Sequence, residues 1–107
     1  MSDYNKLVRD KIPEYIASQG GQSQTRVLSD PEFKIELYKK LREEVEELIT
    51  QQNGTSVELT NEIADIYEVL EAIVKLEDLD EDKISAKQNQ KREERGGFEK
   101  KIFLIRS

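Results

Sequence analysis

Two acidic clusters hold the residues best suited to chemistry: Glu43-Glu44-Val45-Glu46-Glu47 and Glu62-Ile63-Ala64-Asp65. Within them Glu44 and Glu47, and Glu62 and Asp65, stand three residues apart, a spacing that sets two side chains on neighbouring turns of one helix face. Like charges so placed repel by about 0.2–0.5 kcal/mol even in an isolated helix. Two such pairs facing each other require a counter-cation. The chain contains neither cysteine nor histidine, so the available donors are hard carboxylate oxygens, which select Mg²⁺ or Mn²⁺ over zinc. In this reading Glu44, Glu47, Glu62 and Asp65 point into one cleft, hold Mg²⁺ and leave positions for water and for phosphate oxygens. The competing reading is a solvated helix face, common in a chain with 23 acidic residues. Four carboxylates without histidine also argue against a di-iron bundle, which uses a Glu-x-x-His on two helices.

Chemistry on a polyphosphate needs cations beyond the metal, because charge develops on the leaving group. Arg9 and Lys11 near the N-terminus, and Lys87, Lys91, Arg92 and Arg95 in a polar stretch, are the available groups. Lys87, Lys91 and Arg95 form an i, i+4, i+8 stripe. For each, the plain alternative is a solvated charge or an ion pair worth little. With histidine and cysteine absent and the aspartate of the clusters assigned to metal, no side chain looks suited to a covalent phosphoenzyme, which leaves water as the attacking group. Tyr15 and Tyr67 offer ring faces to a base, against a simpler role in core packing.

These residues need a scaffold, and the sequence describes a helical one. Lys6 to Gln19 reads as a short helix, with Asp10 as N-cap, Pro13 in the first turn and Ile12 and Ile16 on one face. Gly20-Gly21 stops it. Gln22 to Leu28 alternates weakly and reads as extended. Ser29-Asp30-Pro31-Glu32 is a strong start signal for a long helix, with Phe33, Leu37, Leu41, Val45 and Leu48 as its buried stripe. Asn53-Gly54 ends it, and Thr55 or Ser56 caps a third helix striped by Leu59, Ile63, Ile66, Leu70 and Ile73. So short a connection predicts an antiparallel helical hairpin. The spacing of Asp78 and Glu81 suits a capping box for a fourth, very polar helix through about Arg95, closed by Gly96-Gly97. The tail Lys101 to Arg106 alternates loosely, in a pattern suited to a two-stranded β patch with Gln22 to Leu28.

At 107 residues the chain fits a single domain, 1–107, because either half alone lacks the surface to build a core. The 36% hydrophobic and 37% charged composition is lean, and oligomerisation would supply the missing burial. A net charge of -6 argues against nucleic acid as the main partner, since tracking a phosphate backbone needs clustered basic surface. No apolar run suits a membrane span or secretory signal, which leads to the expectation of a cytoplasmic protein with no membrane partner.

The order Glu43-Glu44-x-x-Glu47 then Glu62-x-x-Asp65, on two consecutive helices, resembles the E-E-x-x-E and E-x-x-D signature of the MazG-like superfamily of all-α nucleotide pyrophosphohydrolases. Two further stretches, KLVRDKIPEYI at 6–16 and KREERGGFEKKIFL at 91–104, look like a phosphoribosyl-ATP pyrophosphohydrolase-like subgroup, so the resemblance spans nearly the whole chain. It implies an oligomeric all-α bundle of the MazG-like type, a homodimer or homotetramer. It also implies Mg²⁺-dependent hydrolysis of a nucleoside triphosphate or related nucleotide between the α and β phosphates. Carried over by position, Glu44, Glu47, Glu62 and Asp65 match the metal ligands and Glu43 a supporting or water-orienting glutamate. Glu68, one turn beyond Asp65, is a weaker candidate. Arg9, Lys11, Lys91 and Arg95 are the expected phosphate contacts. The alternative is a non-catalytic helical interaction or nucleotide-sensing module that keeps the fold.

Overall fold

The computed structural model describes residues 2–107 and contains four helices, with no strand among the described residues: α1 Ile12–Ser18, α2 Asp30–Thr50, α3 Ser56–Leu76 and α4 Glu81–Arg95. The all-helical expectation is met. Neither segment of the expected β patch forms a strand. Val27, Ile102, Phe103, Leu104 and Ile105 are instead exposed. A two-stranded ribbon with nothing packed on its apolar face is marginal in water, and every residue of the two segments except the half-buried Leu28 is exposed.

The first helix is shorter than its pattern suggests. It begins at Ile12, is preceded by Lys11 rather than capped by Asp10, and has no side-chain cap bond. Pro13 explains this: proline has no N–H and its ring collides with the carbonyl four residues back, so it fits only the first turn of a helix. Lys6 to Lys11 is therefore a separate irregular segment.

The centre of the fold is the α2–α3 hairpin, the principal packed helix pair of the chain. Its first helix opens on a capping box: Ser29 Oγ accepts from the Glu32 N–H while the Glu32 carboxylate accepts from the Ser29 N–H. Pro31 sits in the first turn. The turn closes with the Gly54 N–H donating to Gln51 O at 2.8 Å, and Thr55 Oγ1 then caps α3 by accepting from the Glu58 N–H at 3.2 Å. Lys34 near the start of α2 pairs with Glu77 just beyond α3 at 3.1 Å, as antiparallel helices of equal length require.

The stripe that α3 turns toward α2 is Leu59, Glu62, Ile66, Val69 and Ile73, and the expected members Ile63 and Leu70 are exposed. On α2, Leu37 and Glu44 are buried and Val45 is exposed. The difference is one of register. Both helices carry two adjacent apolar rows, and periodicity cannot say which one faces the partner. Consequently, among the described residues the buried apolar side chains are Leu37 and Val69, at 3% and 7% exposure.

The end of α3 corrects the reading of Asp78. Its backbone has φ 52, the left-handed conformation that ends helices. The Leu79 N–H donates to Val74 O and the Asp78 N–H to Lys75 O, at 2.9 and 3.2 Å, which together make a Schellman closure. Asp78 thus ends α3, and Asp80 begins α4 by accepting from the N–H groups of Asp82 and Lys83. Every residue of α4 is exposed. The Cα radius of gyration is 18.0 Å, against about 13 Å for a compact chain of this length. No helix among the described residues is long and apolar enough to cross a membrane.

Candidate metal site

The hairpin aligns the two acidic signatures across its interface. One carboxylate oxygen from each of Glu44, Glu47 and Glu62 lies within 4.8 Å of the others. Glu44 and Glu62 come from facing stripes and are themselves buried, at 7% and 9% exposure, whereas Glu47 sits one turn along α2 at the exposed edge. The group is thus closed on the helix side and open on the solvent side.

Two atoms set it apart from an ordinary acidic surface: Glu44 Oε2 and Glu62 Oε2 are buried and have no hydrogen-bond partner. A buried acceptor left unpaired costs about 1–3 kcal/mol, and more when charged. The Glu44 carboxyl is pushed above its ordinary range, chiefly by burial and then by the neighbouring charge of Glu47, with Asp65 adding to the same direction. Lys40, one turn before Glu44, partly offsets this through its contact with Glu44 Oε1 at 3.4 Å. Lys40 is the site residue that motif reasoning passed over. Its signal was the i, i+4 spacing to Glu44 on the buried face.

A hard divalent cation fits this donor set. It takes carboxylate oxygens at about 2.0–2.6 Å, so its ligands lie no more than about 4–5 Å apart, as one oxygen of each of these three glutamates does.

The remaining expected residues are distributed unevenly. Asp65 stands one turn beyond Glu62, outside the converging group, and its Oδ1 accepts from Arg9 Nη2 at 2.8 Å. Arg9 therefore reaches the site. Glu43 lines an open groove of α2 with Glu46, Glu47, Thr50 and Gln51. Lys11 is exposed at the start of α1. Lys91 and Arg95 are exposed on α4, and among the described residues that helix makes no side-chain hydrogen bond or ion pair with the carboxylates. Glu68 is exposed on α3. Tyr15 and Tyr67 are 62% and 65% exposed, so neither belongs to the core of this chain.

The chain matches no protein-family model, no curated protein and no solved structure.

Proposed function

We propose that the chain is a divalent-metal-dependent nucleotide pyrophosphohydrolase of the MazG-like type, cleaving between the α and β phosphates to give a monophosphate and pyrophosphate. The observation that carries this reading is the convergence of Glu44, Glu47 and Glu62 with two buried, unpartnered oxygens. A solvated acidic face has no reason to bury two carboxylates against each other. The resemblance of residues 6–16, 43–47, 62–65 and 91–104 supplies the substrate class.

In this proposal Glu44, Glu47 and Glu62, with Asp65 from the next turn, hold Mg²⁺ or Mn²⁺. Held there, the ion would supply Lewis-acid polarisation of the phosphate and offset developing charge. The chain's own residues do the rest. Glu44 and Glu62, fixed by helix packing, set the position of the site relative to the hairpin. Glu47 and Glu43, at the solvent edge, accept hydrogen bonds from the attacking water and orient it. Arg9 presents a guanidinium beside Asp65 with further N–H donors for phosphate oxygens. Lys11, and Lys91 and Arg95 of α4, are the cations that steady the leaving pyrophosphate. Water attacks the α phosphorus, the bond from that phosphorus to the bridging oxygen breaks, and the pyrophosphate leaves intact.

The functional form in this reading is a homodimer or homotetramer. Ile35, Ile49 and Tyr67 are more than half exposed on the outer faces of the hairpin, and so is the apolar tail from Ile102 to Ile105. Exposed large apolar side chains of this kind are the surface on which a second copy would pack in this proposal. Cytoplasmic location and a nucleotide substrate, with neither nucleic acid nor membrane as partner, complete the proposal.

A panel of nucleoside triphosphates and phosphoribosyl-ATP, incubated with Mg²⁺ and assayed for pyrophosphate, tests the activity. Hydrolysis in ¹⁸O-labelled water then tests the position of attack. Label should appear in the monophosphate, and label confined to pyrophosphate would place the attack on the β phosphorus and refute the mechanism.

A further inference from the structure

Asp65 is the one carboxylate of the four that stands apart from the converging oxygens, and its Oδ1 already has a cationic partner, Arg9 Nη2 at 2.8 Å. That partner comes from 56 positions earlier, in the irregular segment ahead of α1. Among the described residues it is the only side-chain hydrogen bond between that segment and the hairpin. Both side chains remain well exposed, 57% for Arg9 and 43% for Asp65, and ion pairs of that exposure are weak and open to exchange. Asp65 follows Glu62 by one turn on the same helix, so a change of side-chain rotamer swings its oxygens toward or away from the other three carboxylates. The guanidinium and a metal ion would then be rivals for the same oxygen.

Resting on the metal site proposed above, we propose that Arg9 and a divalent cation compete for Asp65, so that the ion taking Asp65 as a further ligand releases Arg9 and with it the anchorage of residues 2–11. The segment that carries the basic residues of the KLVRDK stretch is thereby coupled to metal occupancy. Metal uptake frees a guanidinium at the mouth of the site.

The test is calorimetric titration with Mn²⁺ of the full chain and of Arg9→Ala, Asp65→Asn and the double variant, paired with trypsin cleavage after Arg9 and Lys11 in the wild type and Asp65→Asn. Loss of the competitor should tighten Mn²⁺ binding about two- to fivefold, the range of an exposed ion pair. The gain should vanish in the Asp65→Asn background, since two groups acting through one contact are not additive. Mn²⁺ should speed trypsin cleavage of the wild-type segment and leave the rate unchanged in Asp65→Asn. A gain that persists in the Asp65→Asn background would mean that Arg9 acts only through its field, and would overturn the exchange. Unchanged or weakened Mn²⁺ affinity in Arg9→Ala would also overturn it, while wild-type binding leaves the metal site standing. If the wild type takes up no Mn²⁺, the metal reading fails and the exchange fails with it.

Discussion

Replacing Glu44 by the isosteric glutamine should make the protein more stable without divalent cation and less stable with it. The wild-type carboxylate is buried, its Oε2 accepts no hydrogen bond, and burial followed by the charge of Glu47 holds it above the ordinary range. Such a group costs about 1–3 kcal/mol, of which the Lys40 contact returns at most about 1 kcal/mol. Glutamine keeps the shape, removes the charge and can donate to the neighbouring carboxylates. A net gain of about 1 kcal/mol corresponds to about 4–8 °C in Tm for a domain of this size. The pH dependence has a definite sign. A carboxyl raised in the folded state binds more protons folded than unfolded, so stability falls as pH climbs from the ordinary carboxylate range through the folded titration, and the full penalty applies above it. The variant lacks that slope. With Mg²⁺ or Mn²⁺ at a hundred times Kd the wild type gains about 2.7 kcal/mol, while the variant, short of one ligand, gains far less, so the order reverses. Scanning calorimetry at fixed protomer concentration, in chelator and then in metal, measures both arms. A variant that melts below the wild type in chelator would mean that the charge is already compensated, and equal metal shifts in the two proteins would place the ion elsewhere.

Glu47→Gln sits at the exposed edge, so its folding should be unchanged while turnover drops by at least the roughly 10- to 100-fold that loss of a supporting residue costs a metal site; steady-state kinetics beside circular dichroism separates the two, and wild-type turnover would remove Glu47 from the mechanism. Glu32, held at about 2 by its hydrogen bonds from Arg26 and from the Ser29 backbone and hydroxyl, contributes stability that is present above about pH 4.5 and lost as pH falls toward 2. Glu32→Gln should flatten acid melting curves over that window, and an unaltered curve would mean the capping box and Arg26 pair add nothing. Ile35→Glu together with Tyr67→Glu should reduce the mass measured by light scattering to that of one chain and lower Tm, whereas an unchanged mass would assign the association to another face.

Local signals with a stereochemical cause were legible from sequence, and choices among equivalent faces were not. The starts of α2 and α3 follow from Ser29-Asp30-Pro31-Glu32 and from Thr55, because each supplies an acceptor for an otherwise unpaired helix N–H. Pro13 carried the correct boundary of α1 as well, had its clash been weighed above the apolar Ile12 and Ile16 pair. Asp78 was misread because an aspartate serves either as an N-cap or as a left-handed helix end, and only the path of the chain after Leu76 decides between them. The buried stripe of α3 was missed because Glu62 occupies a core position. A pattern search that admits only apolar residues must step to Ile63 instead. For the site the same fact worked in the opposite direction: the spacing of the carboxylates placed Glu44, Glu47 and Glu62 together without knowledge of which row faced inward, while the pairing of Asp65 with Arg9 spans 56 residues and leaves no local trace.

The hairpin buries as many glutamates as apolar side chains, two of each, and this bears on what holds the molecule together. Core glutamates at Glu44 and Glu62 weaken an interface whose apolar side chains, apart from buried Leu37 and Val69, are only half-buried, and the α1 and α4 helices add no buried residue. Two buried apolar side chains are a small core to set against the ordering entropy of 107 residues, at about 1–2 kcal/mol for each backbone unit. In the proposed reading, a second copy and a bound cation would add stabilisation from outside the single chain. The exposed apolar rows through Ile35 and Ile49 on α2, and Ile63, Tyr67 and Leu70 on α3, are the surface on which a second copy would restore the missing core. A cation between the facing glutamates would remove the penalty at its centre. If the proposed assembly and metal uptake each stabilise this hairpin, mass action links them, and a protein deprived of both should unfold at far lower denaturant concentration than one deprived of either.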